Sequence, residues 1–269
     1  MDYKDIIFEK KGKVAWITLN RPDVMNAVRT QTFIELVDGF EKITINGSYR
    51  VVVMTGAGGN FSSGGDVSWE KEFESGSMST RDQRIMYMKC ALLAWLMRNC
   101  GIPIIAMVRG YCIAAGNEIN MLCDFTIASE KSYFGQAGTK IGSSPIWWST
   151  QMLPRTIGEK RAREVCMLSR RYLAQEAEKM GWVNKVVPDD QLESEVEKWC
   201  EEIMKLSPTA LRITKTNLNF ESDMMAPSLT HGALILSFIQ GTPEFREGVS
   251  AFLEKRRPDW EKFTPKDEP

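Results

Sequence analysis

Ile104-Ile105-Ala106-Met107-Val108-Arg109-Gly110-Tyr111-Cys112-Ile113-Ala114-Ala115-Gly116-Asn117-Glu118 reads as a buried strand, a turn of small residues and the opening of a helix. Five apolar residues in a row, entered through Pro103, suit a strand covered on both faces. The small residues after Gly110 let another molecule approach the backbone closely. A helix beginning near Ala115 aims free N–H groups and a positive dipole end at whatever lies there. Phe61-Ser62-Ser63-Gly64-Gly65-Asp66 is a second turn of the same kind, after the apolar run Val51–Met54 and largely within a Gly/Ser-rich loop from Gly56 to Gly65. Two such turns face to face could cradle one developing negative charge, as an oxyanion hole does. Tight packing alone also uses such turns, and neither segment is a G-x-G-x-x-G or G-x-x-x-x-G-K-[ST] phosphate loop.

Glu118 lies one turn into a mostly apolar helix (Ile119, Met121, Leu122). A carboxylate there is either a partner of the helix dipole or, in a dry pocket, an acid–base group with a raised pKa. Outward from this centre, Val14–Leu19 is a strand stopped by the turn Asn20-Arg21-Pro22-Asp23. Phe33, Leu36, Val37, Phe40 and Ile43 recur at helical spacing, with Thr32 and Glu35 at the spacing of a capping box. Residues 81–98 read as helix and Phe125–Ala128 as a short strand, with Asp124 a structural residue that ends the Glu118 helix and begins that strand. After residue 145 the pattern becomes helical, with Trp182–Val187 the only clear strand signal. Asp189-Asp190 and Ser207-Pro208 mark helix starts, and Thr264–Pro269 reads as a frayed tail. The alternation implies an α/β core over residues 1–200 followed by a helical region over 201–269.

The 269 residues carry 34 Lys+Arg against 35 Asp+Glu, a formal charge of −1 that argues against nucleic acid as the main partner. Apolar residues make up 43%, enough for a substantial core. One histidine, His231, excludes His-rich metal sites and leaves a Ser-His-Asp triad only if it supplies the base. Six cysteines form no C-x-x-C pair, so no metal site is expected; Cys112 and Cys123 read as buried thiols. No secretory signal is visible at the N-terminus and no uncharged apolar run reaches spanning length, so a cytoplasmic protein without membrane contact is expected.

Asn20-Arg21-Pro22 with Asn26-Ala27, then Phe61 to Asp66, then Gly110-Tyr111 through Glu118, then Phe134-Gly135-Gln136, resemble the crotonase (enoyl-CoA hydratase/isomerase) superfamily in order and spacing, from about Val14 to Trp260. The resemblance implies an α/β spiral of ββα units with a C-terminal helical trimerisation region, trimers or hexamers, and coenzyme A thioesters as substrates. Coenzyme A would be part of the substrate, with no separate cofactor. Carried over to this chain, the N–H groups of Gly65 and Ala115 would form the oxyanion hole, with Glu118 as the acid–base group. Met25, Ala27, Ser63, Gly64, Asp66 and Val67 would line the coenzyme groove, with Tyr111 and Ile113 beside Ala115 and Lys255 in reach of the coenzyme.

Hydratases of this superfamily use two glutamates, and the second should follow a proline where this chain reads Ala137-Gly138. The segment from Phe134 to Ser143 is similar instead to dihydroxynaphthoyl-CoA synthases and the ring-cleaving oxocyclohexane- and oxocyclohexene-carbonyl-CoA hydrolases, as are Arg161-Ala162-Arg163-Glu164 and Lys255 to Asp259. The synthases carry an aspartate at Pro145 and a tyrosine near Gln240, and usually lack Glu118. Trp147-Trp148 would either pack the core or wall a pocket fitted to a ring. Ser143 would meet a ring oxygen or merely close a turn, and Tyr87, Met86 and Met88 read as core. These features imply hydration or hydrolytic cleavage of an alicyclic acyl-CoA, against three alternatives: ring closure, ordinary enoyl-CoA hydration or isomerisation, and a non-catalytic homologue that binds RNA or coenzyme A.

Overall fold

Alternation along each strand assigns its side chains to opposite faces of a sheet. In β3 (Val51–Gly56), Val52 and Met54 enter one apolar cluster while Val51 and Val53 enter another. In β4 (Ile104–Val108), Ile104, Ala106 and Val108 join the first cluster and Ile105 and Met107 the second. The continuous apolar runs therefore follow from a sheet covered on both sides. The computed structural model describes residues 2–68 and 79–264. The expected fraying of the tail from Thr264 concerns residues that lie, beyond Thr264 itself, outside the described ones.

The main sheet has the order β1 (Ile6–Lys11), β2 (Val14–Leu19), β3, β4, β6 (Phe125–Ser129), β9 (Lys185–Val187). The β1–β2 pair is antiparallel and the other pairs are parallel. A second sheet joins β5 (Tyr111–Ile113), β7 (Tyr133–Gly135) and β8 (Arg171–Leu173). The large cluster packs α1 (Thr30–Ile45) and α2 (Thr80–Asn99) on one face of the main sheet, and α7 (Leu192–Met204) covers the other through Leu192, Val196, Cys200 and Ile203. Between lie α3 (Ala115–Leu122), α4 (Ser149–Ile157), α5 (Glu159–Leu168) and α6 (Ala174–Lys179). The chain ends in α8 (Pro208–Asp223), α9 (Ala226–Ile239) and α10 (Pro243–Leu253). Ser207 Oγ accepts from Ala210 N–H with Pro208 following, the expected start of α8. No helix among the described residues is long and apolar enough to cross a membrane.

The α/β reading and the buried face of α1 hold, and three local expectations do not. Glu35 is no capping residue: the Arg29 N–H donates to Thr32 Oγ1, while the buried Glu35 carboxylate accepts the N–H groups of Lys4, Asp5 and Ile6 at 2.7–3.0 Å. It fastens the start of β1 to α1, a tertiary use that outweighs the local spacing. Trp182–Val187 is strand only at Lys185–Val187, because Trp182 turns inward to pack beside Phe134 and Tyr172. It is also not the only strand after residue 145, since Arg171–Leu173 pairs antiparallel with β7. Met88, read as core, is 60% exposed on α2.

Candidate active site

The two small-residue turns meet. Ser62 N–H donates to Tyr111 O at 2.8 Å, and Ile113 N–H donates to Ser62 O at 3.0 Å. The Gly58–Phe61 and Gly110 backbones are locked together by Asn60 Oδ1, which accepts from Tyr111 N–H at 3.0 Å. A Cβ added at Gly64 would lie 2.9 Å from Ala114 Cβ, and one at Gly116 would lie 2.7 Å from Ser62 O. Only hydrogen atoms fit there, which explains the glycines at both positions. Ala114 has φ 50° and ψ −122°, a conformation that glycine takes far more easily. It turns the chain at the point where Ala115 opens α3. Among the described residues, neither the Gly65 nor the Ala115 N–H donates a hydrogen bond. Two free donors in facing turns suit an oxygen that gains charge.

The residues expected around the coenzyme fall into one bonded unit. Met25 and Asn26 both have left-handed backbones (φ 51° and 56°), which fold the segment back on itself. Met25 O accepts from Ser63 N–H at 2.9 Å, Val28 N–H donates to Gly64 O at 2.8 Å, and Asp66 N–H donates to Val28 O at 2.8 Å. Asn26 Nδ2 donates to Ala57 O and Asn60 O, and Ser62 Oγ donates to Asn26 O. Arg21 donates to Ala27 O and pairs with Asp66 at 2.8 Å. Burial alone would raise the Asp66 carboxyl, but hydrogen bonds from Ser68 and Arg21 outweigh it and hold it below the ordinary value. Asp66 thus orients the loop, and Val67 follows it half-buried.

Glu118 is 7% exposed. Desolvation pushes its carboxyl up from 4.5 to about 8, opposed by the Trp147 N–H, which donates to Oε1 at 3.3 Å, and by the facing Ser149 hydroxyl. Ser149 in turn accepts from Gln136 Nε2, so the hydroxyl proton is left to point toward Glu118. Cys90 and Cys166 are close enough to feel its charge. A buried carboxyl without a cation beside it holds its proton near neutral pH, the range in which proton transfer in both directions is efficient.

Trp147 both packs and touches the site: its ring meets Phe33 edge-on at 5.5 Å and its Nε1 donates to Cys90 O at 3.1 Å. Trp148 turns away, under the Arg98 guanidinium at 4.5 Å from its ring. Tyr111 stands against Tyr133, with Arg171 over its ring. Ser143 and Lys255 are not joined to these groups. Ser143 closes the turn after residues 138–141 by donating its N–H to Gly138 O, and the neighbouring Gly142 backs onto Phe245 of α10. Lys255 sits exposed in a left-handed turn (φ 55°) after the same helix. His231 is exposed on α9 and, among the described residues, takes part in no triad. Gln136, Ser149, Cys90 and Cys166 were not foreseen as site residues; the Gln136 position beside Phe134-Gly135 was the only signal for any of them. Among the described residues there is no cluster of groups able to hold a metal ion.

A sequence profile of the family described as enoyl-CoA hydratase/isomerase matches residues 9–263. The chain belongs to that family. Among solved structures, an enoyl-CoA hydratase from Mycobacterium avium subsp. paratuberculosis K-10 is similar at 27% identity and TM-score 0.86, over 96% of this chain and 99% of that one. An enoyl-CoA hydratase/isomerase from Xanthobacter autotrophicus Py2 is 29% identical, with TM-score 0.83 over 98% and 100% of the two chains. One from Pseudoalteromonas atlantica T6c is 26% identical, with TM-score 0.83 over 95% and 99%. The expected crotonase fold is therefore the observed one, and at Gly138, where a second hydratase glutamate is expected, this chain carries no side chain. A Cβ at Gly138 would lie 3.1 Å from Ser144 C and 3.2 Å from Pro145 N. A side chain there would require the backbone of residues 144–145 to give by a few tenths of an ångström.

Proposed function

We propose that the protein acts on coenzyme A thioesters of alicyclic acids through an enolate held at the Gly65 and Ala115 N–H groups, with Glu118 carrying the proton. The observation that carries this reading is Glu118 itself: one buried carboxyl, tuned to about 8, beside turns with two free donors. With a ring enoyl thioester, water gives a proton to Glu118 as its oxygen bonds to the β carbon. Charge collects on the thioester oxygen, and the proton passes to the α carbon. With a ring β-oxo thioester, water adds to the ketone and the bond between α and β carbons breaks. A carboxylic acid and the same enolate result, and the α carbon takes the proton. Coenzyme A is substrate in both cases and no further cofactor is required.

Support for a ring comes from Trp147, whose backbone N–H reaches Glu118 and whose ring would wall the acyl pocket, and from Gly138, which leaves a straight-chain enoyl thioester with one water-activating acid instead of two. Pro145, buried where ring-closing synthases carry an aspartate, weighs against ring closure, and a net charge of −1 weighs against RNA. The test is mass spectrometry of turnover on cyclohex-1-ene-1-carbonyl-CoA, 2-oxocyclohexane-1-carbonyl-CoA and crotonyl-CoA. Gain of one water is expected for a ring substrate, with kcat/KM at least about 100-fold above crotonyl-CoA. Equal or faster turnover of crotonyl-CoA returns the protein to ordinary hydration, the second reading, which the similarity to proteins named enoyl-CoA hydratases favours.

We also propose assembly as a trimer or a hexamer of two trimers. Leu218, Phe220, Leu234 and Phe238 on α8 and α9 are 56–77% exposed, an apolar expanse that a second chain would cover. Six free thiols, several buried, suit a reducing cytoplasm.

A further inference from the structure

One face of α2 carries polar groups that the fold leaves without partners. Gln83 and Tyr87 are four residues apart and share that face, and Gln83 is 8% exposed. Gln240, at the end of α9, approaches the Tyr87 hydroxyl without closing a hydrogen bond to it. Gln83 Nε2, Tyr87 OH and Gln240 Oε1 are all enclosed and have no hydrogen-bond partner among the described residues. Enclosed polar atoms of folded proteins are nearly always paired, so three orphans on two helices, two of them (Tyr87 and Gln240) facing each other, point to a missing partner atom.

Their position is fixed relative to Glu118. Cys90 lies three residues, about 4.5 Å along the axis, beyond Tyr87 on α2. Its carbonyl accepts from Trp147 Nε1 at 3.1 Å, and the Trp147 backbone N–H donates to Glu118 at 3.3 Å. Tyr87 thus lies about one turn of α2 from a residue bonded to Trp147, and Trp147 in turn reaches Glu118. Two of the orphaned groups, an amide N–H and a phenol O–H, can donate, and the Gln240 amide can offer either end.

We propose that Gln83, Tyr87 and Gln240 form a polar end wall of the acyl pocket that receives an oxygen atom, carbonyl or hydroxyl, on the acyl group itself. The substrate is then an oxygenated acyl-CoA. This rests on the reading of Glu118 as the group that carries the proton beside the acyl chain. It assigns substrate recognition to α2 and the end of α9 in place of Ser143.

The experiment compares binding of two pairs of thioesters by calorimetry: cyclohexane-1-carbonyl-CoA with 4-oxocyclohexane-1-carbonyl-CoA, and hexanoyl-CoA with 5-oxohexanoyl-CoA. Wild type should bind the oxo member of at least one pair 10- to 100-fold more tightly. Tyr87→Phe and Gln240→Leu should each cut that preference about 10-fold while leaving affinity for the plain member unchanged. Their melting temperatures should hold or rise, because an enclosed group without a partner is removed; a structural role would lower them. No preference in either pair, or a preference that survives both substitutions, overturns the proposal. Ring against straight chain is read separately, from the ratio between pairs, so the ring substrate can fail while the oxygen subsite stands.

Discussion

Replacing Glu118 by Gln removes the one group whose burial sets the chemistry, and the same change removes a pH-dependent burden on the fold. In the unfolded chain the carboxyl titrates at its ordinary 4.5; in the folded chain burial raises it to about 8. Below 4.5 it is protonated in both states and costs nothing. Between the two values the unfolded chain releases the proton while the folded chain keeps it, so stability falls as pH rises, and the full loss is present above about 8. At about 1.4 kcal/mol per pH unit, this amounts to on the order of 5 kcal/mol per chain, a ceiling because water entering an empty pocket relieves part of it. Glutamine has no proton to release. Urea unfolding of wild type and Glu118→Gln at fixed protein concentration, from pH 5 to 9, should give a difference that grows with pH and favours the variant at the alkaline end; other titrations cancel in the difference. Turnover of the variant should fall by roughly 10²–10⁴-fold, with thioester affinity nearly intact. A difference that stays flat across the range would refute the argument, since it would mean that the folded protein already holds Glu118 ionised at pH 5.

Three further outcomes follow from specific contacts. Gly138→Glu, which supplies a second carboxylate, should not create efficient crotonyl-CoA hydration and should lower stability, because a Cβ there stands 3.1 Å from Ser144 C; hydration assays and thermal melting check both parts. Ala114→Gly should raise stability by about 1 kcal/mol, since relief of a positive-φ conformation exceeds the extra freedom given to the unfolded chain; denaturant midpoints decide the sign. Phe220→Glu and Phe238→Glu, each at a side chain 69% exposed, should release smaller species in light scattering without unfolding the chain.

Much of this architecture is visible in the order of residues, for identifiable reasons. β2, β3, β4 and β6 announce themselves because a sheet buried on both faces demands uninterrupted apolar residues. β1 does not, because at the sheet edge it keeps Glu9, Lys10 and Lys11 in solvent. β5, β7 and β8, of three residues each, are too short for alternation to show. Glu118 and the facing turns were legible because their chemistry is local: small residues, a helix start and one acid in an apolar run. The Gln136–Ser149 bond and the meeting of Tyr87 with Gln240 were not, since they join residues 13 and 153 positions apart through tertiary packing alone. The Thr32–Glu35 spacing misled for the same reason, as the carboxylate found better donors in the backbone of residues 4–6.

Ser149 offers a way to change the proton affinity of Glu118 without touching it. Its hydroxyl, fixed from behind by Gln136 Nε2, favours the charged carboxylate and so works against the larger effect of burial. Both proposed reactions begin with water losing a proton to Glu118, so the ionised form is the active one and kcat/KM should rise with pH until about 8 and then level. Ser149→Ala leaves desolvation in place and removes one of two opposing hydrogen bonds, so the carboxyl must titrate higher still. A hydrogen bond to a charged group contributes about 1.5–3 kcal/mol, which is roughly one to two pH units. The variant should therefore be about 10- to 100-fold slower at pH 7 and recover toward wild type as pH approaches 10. Its kcat/KM profile would shift to higher pH, where loss of a merely structural serine would scale the profile down without moving it. An unmoved inflection would separate Ser149 from Glu118 and leave burial and the Trp147 N–H as the only influences on its proton.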